Sequence, residues 1–334
     1  MTTTEHRRVN AITTGFDRVR RSLGPHQRMA SDYDWKEPAW SSSYVAPIPE
    51  DLNRSLMDEF GYRRHELSRL ATGYDDIAMA GPFRLLTDKG TAILADICTR
   101  LDDAAVNNDY VVTRRLRNVE SISPFVHDML RDPSFLRLTG VIAGVPLLPH
   151  PIRDAGVQIN YYNSTSAGRE PEVAKWHVDG MNYVFTMTLT DHDQHDGGDY
   201  VYFQGHRADF ELAKDEITTQ GQHHPLVKTA PFRHAGDTMF TRGSFVYHAV
   251  TPVTKGHRTT FAVSLFCPEL GHDDQNRFWH SAPDDGLLRT VRNWVELYRA
   301  VRDPGRYRRR HSSSRGWSAE DKRVGSTGPG RGSA

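Results

Sequence analysis

The sequence predicts a mainly β fold, a double-stranded β-helix or jelly-roll, in its central and C-terminal parts. Two segments alternate bulky apolar residues with small or polar ones, Val157 to Tyr162 and Tyr183 to Thr190, as strands with one buried face do. Three further candidate strands, separated by clusters of Gly, Asp and Pro, are Asp199 to Phe203, Thr238 to Tyr247 and Arg258 to Phe266. Many short strands at this spacing are typical of a jelly-roll, and we expect this core at about residues 156–270.

The N-terminal third predicts helices that pack around this core. Thr87 or Asp88 can cap a helix, and Ser123-Pro124 and Asp132-Pro133 each put a capping residue before a proline suited to a first helical turn. A last amphipathic helix is predicted from about Pro283 to Val301. The expected fold class is therefore mainly β with α, a cupin-like jelly-roll core with a helical N-terminal region and a C-terminal helix.

Three segments carry a weaker structural pattern. Residues 1–45 are polar and irregular and are expected to form a poorly ordered N-terminal arm. Residues 304–334 are rich in Arg, Ser and Gly with little to bury, which predicts a disordered tail. Residues 208–231 form a polar, partly helical insertion. We therefore expect a single domain at residues 46–303.

Composition excludes some classes of function. The 334 residues are 37% hydrophobic and contain 42 Lys plus Arg against 42 Asp plus Glu, so the net charge near zero disfavours a main function in nucleic-acid binding. The two cysteines, Cys98 and Cys267, are too few and too far apart to predict a disulfide framework or a Cys-based zinc site. No apolar run approaches the length of a membrane span and no secretory signal is visible, so the expected location is cytoplasmic. The oligomeric state is not predicted.

The most informative motif is Trp176-His-Val-Asp-Gly180. Residues i and i+2 of a strand project from the same face, so His177 and Asp179 are expected to converge on one point. An imidazole and a carboxylate are two ligands of a 2-His-1-carboxylate site, which suits Fe(II). Alone the motif is weak, because His-x-Asp is common by chance.

A second motif supplies the remaining groups. His248 is expected at the end of the strand that begins near Asp237, and Arg258 follows ten residues later on the next strand. The histidine can complete the metal site. The planar guanidinium of Arg258 can hold both oxygens of a carboxylate, with the small or hydroxylic residues Thr260, Ala262 and Ser264 on the same strand face.

These residues together resemble the Fe(II)/2-oxoglutarate-dependent dioxygenases, in particular the branch of isopenicillin N synthase and the plant flavonoid oxygenases. The likeness rests on Asn160-Tyr-Tyr162, His177-x-Asp179, and His248 followed by Arg258-x-Thr260, and it covers roughly residues 156–269. That branch usually has Arg-x-Ser in the last motif, so Thr260 is a departure that keeps the hydroxyl group. The N-terminal region carries no such likeness.

The resemblance implies a cofactor set and a reaction. His177, Asp179 and His248 are the expected iron ligands, and Arg258 with Thr260, Tyr162 and Asn160 is expected to bind the co-substrate 2-oxoglutarate. Dioxygen is the oxidant, succinate and CO2 are released, and a C–H bond of a small molecule is hydroxylated, desaturated or used for ring closure. Asp179 favours these outcomes over halogenation, because the halogenases of this family have a small residue there. No catalytic residue is expected beyond the metal centre, and the reaction is expected to belong to secondary metabolite biosynthesis.

Other interpretations stay open. A metal-dependent cupin-type enzyme that does not use 2-oxoglutarate would share the ligands but would not need Arg258. A non-catalytic jelly-roll binding module would bind no iron. His192 and His195 are interpreted as part of a solvated turn rather than a second metal site. The arginines near position 115 (Arg114, Arg115, Arg117) are interpreted as a solvent-facing row rather than an anion site, and so is Arg242.

Overall fold

The structure, a computed structural model, describes residues 36–67, 76–107, 111–164, 174–274 and 287–311. Most of the predicted N-terminal arm and of the predicted tail lies outside these ranges. Within them, no helix combines the length and the apolarity that crossing a bilayer requires.

The described part of the chain contains eight α-helices and fourteen strands, besides short 3-10 turns. The helices are α1 (Asp88–Arg100), α2 (Pro124–Met129), α3 (Pro133–Ala143), α4 (Arg153–Gly156), α5 (Arg207–Leu212), α6 (Lys214–Gln220), α7 (Leu287–Arg302) and α8 (Pro304–His311). The strands are β1 (Arg54–Leu56), β2 (Ile77–Arg84), β3 (Val106–Asn107), β4 (Arg114–Arg117), β5 (Leu148–Pro149), β6 (Val157–Asn163), β7 (Ala174–His177), β8 (Tyr183–Thr188), β9 (His195–Gly197), β10 (Tyr200–Phe203), β11 (Val227–Thr229), β12 (Asp237–Arg242), β13 (His248–Val250) and β14 (Val253–Phe266).

Two antiparallel sheets form the core. The larger sheet has the order β1-β2-β12-β8-β14-β6-β4-β3, with β5 and β9 also paired to β14, and the smaller one has the order β11-β10-β13-β7. One cluster of buried residues lies between the sheets and includes Tyr162, Tyr200 and Phe232. Successive strands β12, β13 and β14 alternate between the sheets, so the predicted jelly-roll core is confirmed.

The N-terminal helices cover the outer face of the larger sheet. Thr87, Ser123 and Asp132 cap α1, α2 and α3 through their side-chain oxygens, as their sequence positions predicted. The buried faces of these helices and the outward side chains of β6, β8 and β14 make the main hydrophobic cluster, in which Leu116 and Ile159 take part. The helical N-terminal region is therefore confirmed.

One predicted strand ends earlier than expected. The segment Thr238 to Tyr247 was expected to be continuous, but β12 ends at Arg242 and residues 243–246 turn the chain into the other sheet. The carbonyl of Arg242 accepts hydrogen bonds from the amides of Phe245 (2.9 Å) and Val246 (3.0 Å), which closes this turn. His248 therefore begins β13 instead of ending β12.

The insertion and the C-terminus also differ in detail from expectation. Residues 208–231 contain helix α6 and most of α5, but they also contribute the edge strand β11 of the smaller sheet. The C-terminal helix is confirmed as α7, and its predicted start at Pro283 lies outside the described residues.

The tail was predicted to be disordered from position 304, and this is wrong for its first turns. Pro304–His311 form α8, where the Asp303 carboxylate accepts from the Arg306 amide at 2.8 Å. The Tyr307 hydroxyl donates to the Pro149 carbonyl at 2.7 Å and its ring contacts Phe266. Asp303-Pro304 repeats the Asp-Pro pair that begins α3, so the sequence contains a signal for the start of this helix.

Candidate metal centre

Three side chains with metal-binding atoms converge between the two sheets. The ligand atoms of His177, Asp179 and His248 all lie within 4.8 Å of one another. Nε2 of His177 is 3.4 Å from Oδ1 of Asp179, and Nε2 of His248 is 3.4 Å from Oδ2 of the same carboxylate. Among the residues that the structure describes, no other group of three His, Cys, Asp or Glu side chains has this geometry. Two imidazoles and one carboxylate are the donor set of non-haem Fe(II) sites.

The backbone explains how the three side chains meet. His248 and His177 are directly paired across β13 and β7 of the smaller sheet, and their rings are 4.3 Å apart. We expected Asp179 to share a strand face with His177, but β7 ends at His177 and Asp179 lies in the following loop. The Asp179 amide donates to the Gly243 carbonyl at 2.7 Å, and this bond to the turn after β12 holds the carboxylate beside both imidazoles.

Backbone carbonyls also select the histidine tautomers. Nδ1 of His177 is 2.7 Å from the Lys175 carbonyl oxygen, and Nδ1 of His248 is 2.9 Å from that of Val246. A carbonyl only accepts, so each Nδ1 carries a proton, and in a neutral imidazole the Nε2 lone pair then lies on the side of Asp179. Such an outer hydrogen bond is the usual way in which a metal-binding imidazole is oriented. The residues therefore fit a divalent metal ion.

His248 is neutral at physiological pH. Burial lowers the pKa of its imidazole from 6.5 to about 4, and the neighbouring His177 acts in the same direction, while Asp179 and the Val246 carbonyl oppose the change. A neutral imidazole is the form that coordinates a metal.

The turn after β12 leaves no space for a side chain beside Asp179. A Cβ at Gly243 would lie 2.4 Å from Oδ2 of Asp179. Arg242, considered from the sequence as a solvent-facing side chain or a substrate contact, instead supports this turn: it is 1% exposed, and its Nε donates to Oδ1 of Asn182 at 2.9 Å. The Gly243 amide donates to the Asn182 carbonyl at 2.8 Å, so both residues hold the turn.

Arg258 is buried on the sheet that faces β13. As expected, it lies on the strand that follows that of His248 along the chain, and this strand, β14, pairs with β6 and β8 in the larger sheet. The side chain is 2% exposed and lies over the rings of Tyr162 and Phe232, each 5.7 Å away. Its two terminal nitrogens have no hydrogen-bond partner among the described residues. A buried cation in this state is costly unless an anion binds to it.

Arg258 and the metal-binding side chains line different cavities. Arg258 opens on a cavity of about 290 Å³ that Tyr200 also lines. The Tyr200 ring stacks on His248 with centroids 5.4 Å apart, so this residue lies between that cavity and the metal-binding group. His177 and Asp179 open on a second cavity of about 390 Å³.

The other predicted co-substrate residues lie beside Arg258 on β14 and the neighbouring strand β6. Tyr162 pairs with Arg258, and Asn160 pairs with Thr260, on the face of the larger sheet that points between the sheets. Nδ2 of Asn160 donates to the Thr260 hydroxyl at 3.2 Å. Burial raises the pKa of the Tyr162 phenol, opposed by Arg258 and by a hydrogen bond with Thr260. The four side chains thus form one contiguous group, and their roles remain a prediction.

Two interpretations of charged residues need correction. His195 was expected in a solvated turn, but its side chain is only 6% exposed because β9 pairs with β14. Together with His192 it lines the Arg258 cavity. Arg114 is bound to Asp102, but Arg115 is 8% exposed and lines the metal cavity with Arg117. The sequence alone did not indicate these positions, because strands as short as β4 and β9 do not show which face points inward.

Comparison with known proteins finds likeness only at the level of the fold. No protein-family model and no curated protein matches the sequence. Solved structures that resemble it include HygX from Streptomyces hygroscopicus with nickel and 2-oxoglutarate bound, at 17% identity and a TM-score of 0.41 over 53% of this chain and 78% of that chain. The non-heme alpha ketoglutarate dependent epimerase SnoN from nogalamycin biosynthesis is 18% identical, with a TM-score of 0.40 over 55% of this chain and 75% of that chain. EctD from S. alaskensis with bound Fe is 14% identical, with a TM-score of 0.44 over 69% of this chain and 89% of that chain. These are partial likenesses of the fold, and they do not distinguish the branch whose motifs the sequence resembles.

Proposed function

We propose that the chain is an Fe(II)- and 2-oxoglutarate-dependent oxygenase that oxidises an unactivated C–H bond of a small molecule. In its simplest form, hydroxylation, one molecule each of 2-oxoglutarate, dioxygen and substrate gives succinate, CO2 and the hydroxylated product. Desaturation or ring closure of the substrate are the other outcomes that fit a site with Asp179. The proposal is supported chiefly by one arrangement: three iron-type ligand atoms within 4.8 Å, with an unpartnered buried arginine on the facing sheet.

The metal-binding residues would hold the ion from one side. His177, Asp179 and His248 come from the smaller sheet and its adjoining loop, and their two imidazole nitrogens and one carboxylate oxygen would hold the ion. When bound, iron supplies the redox chemistry that lets dioxygen react. Hydrogen bonds from the imidazoles to the carbonyls of Lys175 and Val246 keep both rings oriented throughout.

Arg258 would bind the distal carboxylate of 2-oxoglutarate in its own cavity, on the other side of Tyr200 from the metal-binding group. Its guanidinium presents two nitrogens that can grip two carboxylate oxygens, and the low exposure of the site strengthens that ion pair. The Tyr162 hydroxyl, which remains protonated because burial raises its pKa, and the Thr260 hydroxyl lie beside it as further donors. The rings of Tyr162 and Phe232 exclude water from the guanidinium.

The biological setting belongs to the same proposal. We assign the enzyme to the cytoplasm and to secondary metabolite biosynthesis, with a small-molecule substrate and with neither nucleic acid nor membrane as partner. The balance of 42 basic and 42 acidic residues supports a small-molecule substrate over a nucleic acid.

Release of succinate tests the proposed function. Protein reconstituted with Fe(II) is incubated with 2-oxoglutarate and air, and succinate is measured alone and with a panel of candidate substrates. We expect slow 2-oxoglutarate turnover that a substrate accelerates, and no turnover in His177→Ala. Substrate oxidation that is indifferent to 2-oxoglutarate would favour a cupin-type enzyme, and failure to retain stoichiometric iron would favour a non-catalytic binding module.

A further inference from the structure

A buried histidine lies beside Arg258. His195 lines the same cavity of about 290 Å³ as Arg258, and its side chain is buried. A Cβ at Gly198 would lie 3.1 Å from Cδ of Arg258 and 3.6 Å from Nδ1 of His195, so both side chains pack against the same position. Strand β9 pairs with β14 through His195 and Gly256, and this pairing holds the imidazole beside the strand that carries Arg258. The cavity therefore contains a titratable side chain next to its guanidinium.

The hydrogen bond of the His195 ring determines its tautomer. Nδ1 lies 2.8 Å from the Gly197 carbonyl oxygen. Because a carbonyl only accepts, Nδ1 carries a proton, and Nε2 is the ring nitrogen that can bind a ligand in the cavity. In a neutral imidazole this Nε2 is an acceptor, and both oxygens of a carboxylate are acceptors too. A carboxylate can therefore accept from Nε2 only after Nε2 has taken up a proton.

The other charged and titratable side chains of this cavity come from the elements around it. They are Arg258 of β14, Asp199 and Tyr200 at the start of β10, His192 of the turn before β9, and Arg233 of the segment before β12. Asp199 is the one carboxylate in the described lining, and its Oδ2 accepts from Nε2 of Gln222 at 3.1 Å. Tyr200 is neutral, because burial raises the pKa of its phenol. Outside the cavity, Lys255 of β14 lies opposite Asp196, and both are exposed. Two arginines and one carboxylate thus share the cavity with His195.

These surroundings favour the neutral form of His195. Burial lowers the pKa of its imidazole, and Arg258 and His192 act in the same direction. The Gly197 carbonyl and Asp199 oppose this shift. A bound carboxylate would neutralise Arg258 and place a negative charge beside the imidazole, and both changes favour the protonated ring. The protein should therefore hold one proton more with a carboxylate in the cavity than without it.

We propose that His195 joins Arg258 in binding the distal carboxylate of 2-oxoglutarate, and that one proton from solvent adds to Nε2 in the same step. In balance, the 2-oxoglutarate dianion, one proton and neutral His195 give an imidazolium–carboxylate ion pair, and no other covalent bond is made or broken. Arg258 supplies donors at any pH, whereas Nε2 of His195 donates only when it is protonated. The affinity for 2-oxoglutarate therefore falls as the pH rises. This coupling rests on the function proposed above, because that function assigns 2-oxoglutarate to the cavity.

Calorimetric titration of 2-oxoglutarate into the anaerobic, Fe(II)-loaded, full-length protein tests the proton uptake. The titration is run at pH 7 in two buffers of different ionisation enthalpy, PIPES and Tris, and the difference in heat gives the number of protons taken up. Iron occupies Nε2 of His177 and His248, so their imidazoles do not contribute. We expect wild type to take up close to one proton, and its dissociation constant to rise by up to about tenfold for each unit of pH above 7.

Two variants assign the proton to His195. In His195→Gln the amide nitrogen can donate without ionising, so we expect binding without proton uptake and with little dependence on pH. His127→Asn removes an exposed histidine of α2 and should take up the same proton as wild type. Thermal unfolding verifies that each variant is folded, and the proton count of wild type decides by itself if His195→Gln is not.

The outcomes separate this coupling from the proposed function. Binding of 2-oxoglutarate to wild type without net proton uptake overturns the coupling and leaves the proposed function intact. Uptake of the same proton by folded His195→Gln overturns the assignment to His195. A wild-type protein that retains iron but does not bind 2-oxoglutarate contradicts the coupling and the proposed function together.

Discussion

His177 and His248 are direct cross-strand partners in the smaller sheet, with ring centroids 4.3 Å apart and both Nδ1 atoms bonded to backbone carbonyls. The two imidazoles therefore have this orientation in the metal-free protein. Because the residues lie 71 positions apart, only the jelly-roll topology brings them together. The site is therefore preorganised by the sheet, and small changes in the adjoining turn should affect it strongly.

Gly243→Ala should displace the Asp179 carboxylate. The added Cβ would lie 2.4 Å from Oδ2, closer than real contacts allow, and the Met181 carbonyl at 2.8 Å blocks the alternative path. We expect iron affinity to fall by roughly 10–100-fold, the range for lost ligand support. The ratio of iron to protein that remains after desalting measures this loss of affinity.

Gly156→Ala is the matched control for that substitution. Gly156 is a buried glycine of the same core, where a Cβ meets only His150 Cβ at an ordinary 3.7 Å. Its iron binding should equal that of wild type. Equal iron retention by both alanine variants would mean that Asp179 is not held where the structure has it.

Arg258→Gln should weaken 2-oxoglutarate binding and leave iron binding unchanged. A hydrogen bond to a charged group contributes about 1.5–3 kcal/mol, so we expect the dissociation constant of 2-oxoglutarate to rise roughly 10–150-fold. Calorimetric titration of the iron-loaded, anaerobic protein measures it, with Arg100→Gln as the control because exposed ion pairs contribute little. Unchanged affinity in Arg258→Gln would assign the co-substrate to another residue.

The metal-free protein should lose stability as the pH falls from about 6.5 to about 4. Burial depresses the pKa of His248 to about 4 in the folded state, below its ordinary 6.5. Between these values the unfolded chain binds more protons, so acid favours unfolding, and this contribution is complete only above pH 6.5. The magnitude is on the order of 2–3 kcal/mol.

Urea unfolding at pH 4.5 and pH 7 measures that loss in wild type and in His248→Asn. We expect the free energy of unfolding to fall less steeply in the variant, which has no imidazole to protonate at this position. Identical pH dependence in the two proteins would show that His248 is not buried in its neutral form.

A local sequence pattern predicts the structure correctly where that pattern has one structural meaning. Apolar alternation located β6, β8 and most of β14, and capping residues located α1 to α3. The ligand motifs His177-x-Asp179 and His248 identified the side chains that converge. Their spacing alone did not reveal the reason for convergence, because Asp179 is held by Gly243 and not by strand alternation.

The features that the sequence could not indicate depend on tertiary contacts. The chain crosses between the sheets after Arg242, and the Gly243-Ser244 pair between the apolar residues on either side did not by itself distinguish this crossing from a continuous strand. Arg115 and Arg117 alternate with apolar residues in a manner equally typical of a solvent-facing strand. Only the pairing of β4 with β6 makes their face an inner one.

Anaerobic formation of the iron chelate tests the central claim most directly. Fe(II) and 2-oxoglutarate are added without oxygen to wild type and to Asp179→Ala, and the visible metal-to-ligand charge-transfer absorption of the bidentate chelate is recorded. We predict that wild type develops the band with one equivalent of each ligand and that the variant, although folded, does not. A wild-type protein that binds iron but never develops this band would contradict the assignment of 2-oxoglutarate to the site.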